Sequence, residues 1–389
     1  MPALSSYILP TQIVFGVGAI DQLAAWAGRL GMRRPMVATT ARLAQHVLLR
    51  PALQALGGAR IEVVLFDRVR PNPDVSAVDE AASEYRRAGC DGLIGFGGGS
   101  ALDAAKAIGV VVSSGGSIRD YEWAPDQPIR AEIPPTICIP TTAGSGSEVT
   151  LWAVVTDPIR RIKFNVGGTP HIAPRVALVD PRTTLGLSPA MTAASGMDAL
   201  AHAVECYTCD YAQPITDAVA LQAVEIIGRW LARAVQHADD LEARTMMSAA
   251  ATLGGMAYGV ESAGAAHAMS QTAGGTREVG HGALTARVLG PVMEFSGSAK
   301  PERFARLAMA LGAAQPEMTP LEAAQAAARR VTEMSSELGI PTMHAMGFRK
   351  EEIPELAAMA FRDPQTMGNA RILTPQDYES IYRRAFEAG

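Results

Sequence analysis

The 389-residue sequence is poor in cysteine, in aromatic residues and in long apolar runs. Four cysteines in a chain of this length favour a reducing, cytoplasmic compartment. The longest apolar stretches fall far short of the roughly 18 residues that a membrane-spanning helix needs. The N-terminus also lacks a charged segment followed by an apolar one, so neither a membrane span nor a signal peptide is expected.

The sequence also lacks a basic block and a second CxxC motif. Its 34 Lys and Arg residues are spread along the chain among 39 acidic residues, which gives a net charge of −5. Nucleic acid is therefore not an expected partner. Cys206 and Cys209 form the one CxxC, and without a second pair they are predicted to be structural rather than zinc ligands.

The hydrophobic pattern divides the chain into two halves with different periods. Before residue 184, short β-branched runs alternate with helical stretches in units of about 30 residues, which is typical of a parallel sheet covered by helices on both faces. After that point nearly every stretch has apolar residues at helical spacing. We predict an α/β domain over residues 1–184 and an all-helical domain over residues 185–389. The cleft between such domains is the expected ligand site.

Two loops that follow predicted strands are rich in glycine and hydroxyl groups. The first, in IGFGGGSALDAAKAI at residues 94–108, lets backbone N–H groups approach a phosphate at a helix N-terminus. A glycine cluster alone is weak evidence, and a tight turn without a ligand is the less favoured alternative. The second loop, PTTAGSGSEVT at residues 140–150, also suits phosphate or ribose. Two such loops in one sheet domain favour a dinucleotide.

These two loops resemble the signature of the iron-containing (group III) alcohol dehydrogenase family. Further matches are RVRPNP at 68–73, GMDALAHAVECY at 196–207 and HGALTARVLGPVMEF at 281–295, so the resemblance extends over nearly the whole chain. It implies a Rossmann-like NAD(P)-binding domain followed by a helical metal-binding domain, the architecture of dehydroquinate synthase. It also implies hydride transfer between a nicotinamide and a small alcohol, aldehyde or ketone, in a homodimer or larger assembly.

The resemblance assigns cofactor-binding roles to residues in both loops and to one lysine beyond them. In the family the glycine loop binds the pyrophosphate, while the threonine and serine segments line the site near the nicotinamide. The lysine lies near the cofactor ribose. By matching position these residues are Gly97, Gly98, Gly99, Ser100, Asp103, Thr141, Thr142, Ser147 and Lys163.

One aspartate and three histidines form a candidate metal site. Asp198 and His202 are four residues apart in a helical pattern and therefore share a face, although a solvated pair would have the same spacing. His267 lies in an apolar helical run, where an unpaired imidazole is costly to bury. His281 begins the next predicted helix. Together they supply an O/N ligand set suited to Fe(II) or Zn(II), and the resemblance implies the same four ligands. The metal would polarise the substrate oxygen.

Two positions depart from the family pattern. Many members have a histidine four residues after the one that matches His267, assigned to proton relay or substrate contact, whereas this chain has Gln271, which does not titrate near pH 7. NAD-preferring members often end the second strand with an aspartate, and Thr40 occupies that place here with Arg42 nearby. The first change favours an unusual substrate, and the second slightly favours NADPH over NADH.

Three other functions fit part of the pattern. Gln271 leaves open a hydroxyacid, oxo-acid or semialdehyde reductase, as in the transhydrogenases that also lack this histidine. A metal-free maleylacetate reductase is disfavoured because all four predicted ligands are present. A lyase of the dehydroquinate synthase type needs many basic groups for its substrate, and only Arg277 and Arg287 are near the histidines in sequence. A metal-dependent NAD(P)-linked alcohol dehydrogenase or aldehyde reductase is the leading prediction.

Overall fold

The computed structural model describes residues 6–258 and 264–387, which divide into two compact units. The α/β unit contains Ile8–Thr142 and Gly146–Leu185. The helical unit contains residues 6–7, Ala143–Ser145 and the described residues from Gly186 onward. The short segment 143–145, from the middle of the threonine loop, thus belongs with the helices rather than with the sheet.

A six-stranded sheet forms the centre of the α/β unit. Its order is β1-β8-β5-β4-β2-β3, and every neighbouring pair of strands is parallel. The predicted parallel sheet is therefore confirmed. The strands are β1 (Gln12–Phe15), β2 (Pro35–Ala38), β3 (Val64–Phe66), β4 (Gly92–Gly97), β5 (Thr136–Pro140) and β8 (Val176–Val179).

Helices cover both faces of this sheet, since side chains alternate between faces along each strand. Leu93 of β4 packs into the core beneath α3 and α4, while the next residue, Ile94, packs into the core beneath α1 and α2. The central strands are buried on both sides, which explains their continuous apolar runs. The helices are α1 (Leu23–Arg29), α2 (Leu49–Gly58), α3 (Val75–Arg87) and α4 (Gly99–Ser114).

An antiparallel hairpin was not predicted from the sequence. It consists of β6 (Trp152–Asp157) and β7 (Ile162–Gly167), paired from Trp152 opposite Gly167 to Asp157 opposite Ile162. Gly167 has a φ of +135°, and a Cβ there would lie 2.2 Å from the carbonyl oxygen of Leu151, so only glycine fits. The hairpin matters for the site because it carries Lys163.

The second unit is built from helices around one alanine-rich core. Small side chains let the helix backbones approach closely, and the helical prediction for this half is confirmed. Among the helices of the described residues, none is long and apolar enough to cross a membrane. The helices are α5 (Pro189–Thr208), α6 (Pro214–Gln236), α7 (Leu241–Tyr258), α8 (Ala265–Thr276), α9 (His281–Ser296), α10 (Pro301–Ala310), α11 (Pro320–Glu337), α12 (Ile353–Arg362) and α13 (Pro375–Glu387).

Candidate active site

The strand order reverses between β2 and β4. From β2 the chain runs to β3 at one edge of the sheet and then returns to β4 on the other side of β2. In open α/β sheets, ligands bind beyond the carboxyl ends of the strands at such a reversal. These two strands end at Ala38 and Gly97. Thr40 and the glycine loop follow directly, so the predicted cofactor residues lie at this edge.

The glycine loop is a tight turn between β4 and the 16-residue helix α4. Gly97 has a φ of +156°, and a Cβ there would lie 2.6 Å from the side chain of Ala101. A Cβ on Gly98 would lie 3.2 Å from Oγ1 of Thr142, so the two predicted loops approach each other at this point. α4 begins at Gly99. Its first N–H groups have no partner within the helix and can bind an anion.

Asp103 and Ser147 are occupied by protein contacts. The Ser147 hydroxyl donates to Oδ1 of Asp103 at 2.5 Å, and the backbone N–H of Val154 donates to Oδ2 at 3.1 Å. These bonds fix the second loop and the hairpin against α4. The structure thus gives both residues a role in holding the loops, and their direct contact with a cofactor stays a prediction.

Lys106 completes this network and was missed in the sequence. Its side chain is fully buried and donates to the Ser147 carbonyl at 2.9 Å, to Oγ1 of Thr150 at 3.1 Å and to the Trp152 carbonyl. Nζ also lies 3.4 Å from Oδ1 of Asp103. Lysine is almost never fully buried unless it is paired. A lone lysine within the apolar run AAKAIGVVV was the available signal.

Lys163 is connected to the glycine loop through Asn72. Its ammonium donates to Oδ1 of Asn72 at 2.7 Å, and the Asn72 N–H donates to Oγ of Ser100 at 3.2 Å. Asn72 has a φ of +54°, a conformation that asparagine tolerates better than most residues. The structure therefore brings Lys163 and Ser100 into one cluster. Asn72, which the PNP turn could have indicated, joins them.

Thr40 and Arg42 are placed differently from each other. Oγ1 of Thr40 accepts a hydrogen bond from the N–H of Leu43 at 3.2 Å and so caps the turn after β2. Arg42 is exposed. Thr141, in the second loop, is buried and donates its N–H to the Gly97 carbonyl at 2.8 Å.

Three helices of the helical unit carry the four predicted metal ligands. Asp198 and His202 lie one turn apart on α5, His267 lies in the first turn of α8, and His281 is the first residue of α9. One oxygen of Asp198 and one nitrogen each of His267 and His281 lie within 4.8 Å of one another. His202 is outside that group, but its ring stacks on His267 with the centroids 4.4 Å apart.

Glycine permits the close approach of α9 to α5. A Cβ on Gly282 would lie 2.4 Å from the Ala194 carbonyl oxygen and 3.3 Å from Cβ of Asp198. Any other residue at position 282 would push the start of α9 away from α5. Gly282 thus brings His281 within reach of Asp198.

The residues present fit a metal ion. Nε2 of His267 is 3.8 Å and Nε2 of His281 is 3.6 Å from Oδ1 of Asp198, which is too long for a hydrogen bond. Ligand atoms about 2.1 Å from one ion lie roughly 3 to 4 Å apart. Within the described parts of the chain, Nδ1 of His202 and Nε2 of His267 are buried with no hydrogen-bond partner. Buried polar atoms without a partner are costly, so an ion accounts for them.

The pKa values of the buried His202 and His267 are shifted in opposite directions. Burial lowers the pKa of His202 well below its usual value, and the neighbouring His267 lowers it further. Burial also lowers the pKa of His267, but the adjacent Glu205 carboxylate outweighs this effect, so the pKa of His267 is raised. A neutral His202 ring is ready to bind a cation.

The outer nitrogens of two predicted ligands are held by neighbours. Nδ1 of His267 hydrogen-bonds to Oε2 of the buried Glu205. Nδ1 of His281 lies 3.4 Å from the hydroxyl of Ser270, which in turn accepts from Thr285 at 2.9 Å. Metal-binding histidines are commonly oriented in this way through the nitrogen that does not bind the metal.

Gln271 is joined to a carboxylate that the sequence reasoning missed. It is buried one turn after His267, and its amide donates to Oδ2 of Asp363 at 3.2 Å. Oδ1 of Asp363 accepts from the N–H of Gln365 at 2.9 Å. The Tyr258 hydroxyl donates to the Gln365 side chain at 3.3 Å, and the Tyr258 ring centroid is 5.0 Å from that of His202.

Asp363 has a perturbed pKa. Burial raises it to about 6, although hydrogen bonds from Gln365 and Gln271 act in the opposite direction. A carboxylate and an aromatic ring, linked through Gln365, thus lie beside the candidate metal site. Only the FRDPQ turn hinted at Asp363, since a capping aspartate before proline is common.

Comparison with known families identifies both halves of the chain. Residues 10–181 match the model of iron-containing alcohol dehydrogenase, and residues 192–386 match the C-terminal model of the same family.

Individual relatives agree with these models. The chain is 46% identical to choline dehydrogenase of Bacillus subtilis over 99% of its length and 96% of that protein. It is 35% identical to NAD-dependent methanol dehydrogenase of Bacillus methanolicus, covering 98% of this chain and all of the relative. Among solved structures, 1,3-propanediol oxidoreductase superimposes with a TM-score of 0.94 at 34% identity, covering 99% of this chain and all of the other.

Proposed function

We propose that the substrate is an alcohol with a quaternary ammonium group, of the choline type. The premise is that the chain belongs to the iron-containing alcohol dehydrogenase family. It is therefore a metal-dependent, NAD-linked oxidoreductase of alcohols and aldehydes. The observation that supports this proposal is Asp363, whose carboxylate hydrogen-bonds to Gln271 beside the candidate metal site. The 46% identity to a choline dehydrogenase agrees with it.

A quaternary ammonium ion cannot donate hydrogen bonds and is recognised by negative charge and aromatic faces. Asp363 offers the charge, and Tyr258 offers a ring beside His202. Gln365 joins the two side chains by hydrogen bonds. Gln271 itself is neutral and donates to the carboxylate. A histidine at that position could become protonated and would then repel a cation.

The same carboxylate disfavours the oxo-acid and semialdehyde alternative. An anionic substrate that approached Gln271 would meet Asp363, and like charges at short range are repulsive. The hydrogen bonds that Asp363 accepts from Gln271 and Gln365 come from neutral amides, which leave the negative charge of the carboxylate in place. The carboxylate therefore separates a cationic alcohol from a hydroxy acid.

For the metal, we propose Asp198, His202, His267 and His281 as ligands of Fe(II), with Zn(II) equally compatible with the donor atoms. The ion would supply Lewis acidity to the substrate oxygen. Glu205 and Ser270 would hold the imidazole rings in place. Metal content of the purified enzyme, wild type beside His267→Ala, tests the set. About one ion per chain, lost in the variant, is expected, and a metal-free wild type after addition of iron and zinc would refute it.

For the cofactor, we propose that the α4 N-terminus, with Gly98, Gly99 and Ser100, binds the pyrophosphate. The nicotinamide would supply or accept the hydride. Lys163, fixed by Asn72, would contact the ribose. Thr40 presents no carboxylate to repel a 2′-phosphate, and exposed Arg42 is nearby, so we propose that the enzyme accepts NADPH as well as NADH, with a slight preference for NADPH.

We also propose a cytoplasmic enzyme that assembles into a homodimer or larger form. The boundary between the two domains of each chain is proposed to lie near residue 184. All four cysteines are free thiols in the structure, as expected for a reducing compartment. Sedimentation and cell fractionation test these points.

The decisive substrate experiment compares choline with its neutral isostere 3,3-dimethylbutan-1-ol and with 4-hydroxybutyrate. We expect kcat/KM to favour choline over the isostere by at least about tenfold, which corresponds to about 1.4 kcal/mol. Asp363→Asn should abolish most of that preference and leave the rate with the isostere nearly unchanged. Equal use of choline and the isostere by the wild type, or a preference for 4-hydroxybutyrate, would contradict the proposal.

A further inference from the structure

We propose that Glu205 is a positioning residue of the metal site, which fixes the His267 ring in the tautomer that leaves Nε2 available to bind the ion. The inference rests on the ligand set proposed above. It concerns a residue outside that set, on the same helix as Asp198 and His202 and one turn further along.

Both oxygens of the Glu205 carboxylate are engaged at one end of α8. Oε1 accepts the backbone N–H of Ala266 at 2.7 Å, and Oε2 contacts Nδ1 of His267. The side chain is only 4% exposed, so these are buried, charge-assisted contacts. A carboxylate at a helix N-terminus is also stabilised by the helix dipole.

The chemistry of the two groups determines the tautomer. An imidazole that binds a metal is neutral, with one N–H and one lone pair, and a carboxylate that accepts the N–H holds the hydrogen on the nitrogen that faces it. Nδ1 of His267 must therefore carry the hydrogen, and the lone pair lies on Nε2. That atom is the one 3.8 Å from Oδ1 of Asp198 and buried with no hydrogen-bond partner in the described structure. Glu205 thus prepares Nε2 for a cation.

Glycine at position 264 makes this contact possible. A Cβ on Gly264 would lie 2.7 Å from Oε1 of Glu205 and 3.2 Å from Oδ1 of Asn369. The glutamate carboxylate needs the space that any larger residue would occupy. The sequence therefore supplies two matched features, a buried acid on α5 and a glycine before α8.

Glu205→Gln is the sharpest test because it preserves the size of the side chain. The N–H of Ala266 requires an oxygen at the Oε1 position, so the glutamine NH2 must face Nδ1 of His267. It would donate to Nδ1 and move the imidazole hydrogen to Nε2, the wrong tautomer for binding. We expect the zinc dissociation constant, measured by chelator competition, to rise about 10- to 100-fold.

Thr208→Val is the matched control. Thr208 is buried on the same helix, and its hydroxyl donates to the Val204 carbonyl at 2.9 Å within that helix. Both substitutions remove a buried polar contact, so a purely structural role for Glu205 would lower the urea midpoint in both without weakening zinc binding. We expect only Glu205→Gln to weaken zinc binding, with NADH affinity unchanged in both variants.

Gly264→Ala provides a second test that keeps the carboxylate but displaces it, and it applies even if Glu205→Gln does not fold. It should weaken zinc binding on its own but add little to Glu205→Gln. Zinc affinity within twofold of wild type in either single variant would overturn the inference. His267→Ala separates the two levels of the proposal. If His267→Ala binds zinc as tightly as wild type, the proposed ligand set is refuted. If His267→Ala loses zinc binding while Glu205→Gln binds zinc like wild type, only the role of Glu205 is refuted.

Discussion

Replacing Asp363 by asparagine should make the metal-free protein more stable at neutral pH. Burial raises the pKa of this carboxyl to about 6, whereas an aspartate in an unfolded chain has a pKa near 3.9. Both states are protonated well below pH 4. As the pH rises through 4 to 6, the unfolded chain loses its proton first, so the folded state becomes relatively less stable. Above pH 6 the full cost of ionising a buried group is present.

The size of this cost follows from the shift. A difference of about two pKa units corresponds to about 3 kcal/mol at pH 8 and to roughly half of that at pH 5. Asparagine keeps one carbonyl oxygen for the N–H of Gln365, and its NH2 then faces Gln271, whose side-chain amide can turn to accept from it, so its own cost is small. We therefore expect Asp363→Asn to gain up to about 3 kcal/mol of unfolding free energy at pH 8 and almost nothing at pH 4.

Urea unfolding followed by circular dichroism at pH 4, 5 and 8 measures this difference for wild type and Asp363→Asn, both prepared with a chelator. A gain that does not change with pH would refute the electrostatic reasoning, because packing effects do not titrate. A loss of stability at pH 8 would show that the carboxylate contributes more through its hydrogen bonds than it costs by burial. The expected gain, together with a loss of choline preference, would mean that stability is sacrificed for substrate binding.

Three further predictions concern the α/β unit. Burial raises the pKa of Asp157, but hydrogen bonds from Arg160 and the backbone outweigh this effect and lower the pKa to about 2. Asp157→Asn should therefore lower the unfolding free energy by about 1 to 2 kcal/mol at pH 7. In urea titrations this difference should disappear as the pH falls from 4 to 2. Gly98→Ala should weaken NADH binding at least tenfold in fluorescence titrations, because its Cβ would press on Thr142, and an unchanged zinc affinity is the control. Thr40→Asp should shift the ratio of kcat/KM towards NADH and against NADPH, and an unchanged ratio would exclude this position from cofactor selection.

The local elements were largely predictable because their patterns are local. Pro189–Thr208 is a helix in both the sequence pattern and the structure, and its spacing puts Asp198 and His202 on one face. The glycine turn between β4 and α4 was equally readable, since few other sequences permit it. The β6–β7 hairpin was missed because its residue types, WAVVTD and IKFNVG, alternate only weakly between apolar and polar, although burial alternates strictly along β6 in the folded structure.

The candidate site shows the same division. Residue type, spacing and the family resemblance indicated four metal ligands, and the resemblance marked Gln271 as unusual. The partners of those residues come from distant parts of the chain, as with Glu205 and His267, 62 residues apart, or Gln271 and Asp363, 92 residues apart. No periodicity records such pairs, because a side chain that supports another has no fixed sequence offset from it.

The sequence by itself determined the family, the parallel sheet, the helical second half and the types of atom available for a metal and a dinucleotide. Those features depend on hydrophobic period, turn chemistry and donor type, which can all be recognised within short segments of the sequence. Only the tertiary structure decided which nitrogens of His267 and His281 face Asp198, which carboxylate supports His267 and which carboxylate lies beside Gln271. Close packing of helices sets these contacts, and glycines at 264 and 282 permit them, so a contact of a few ångströms depends on the whole fold rather than on any segment.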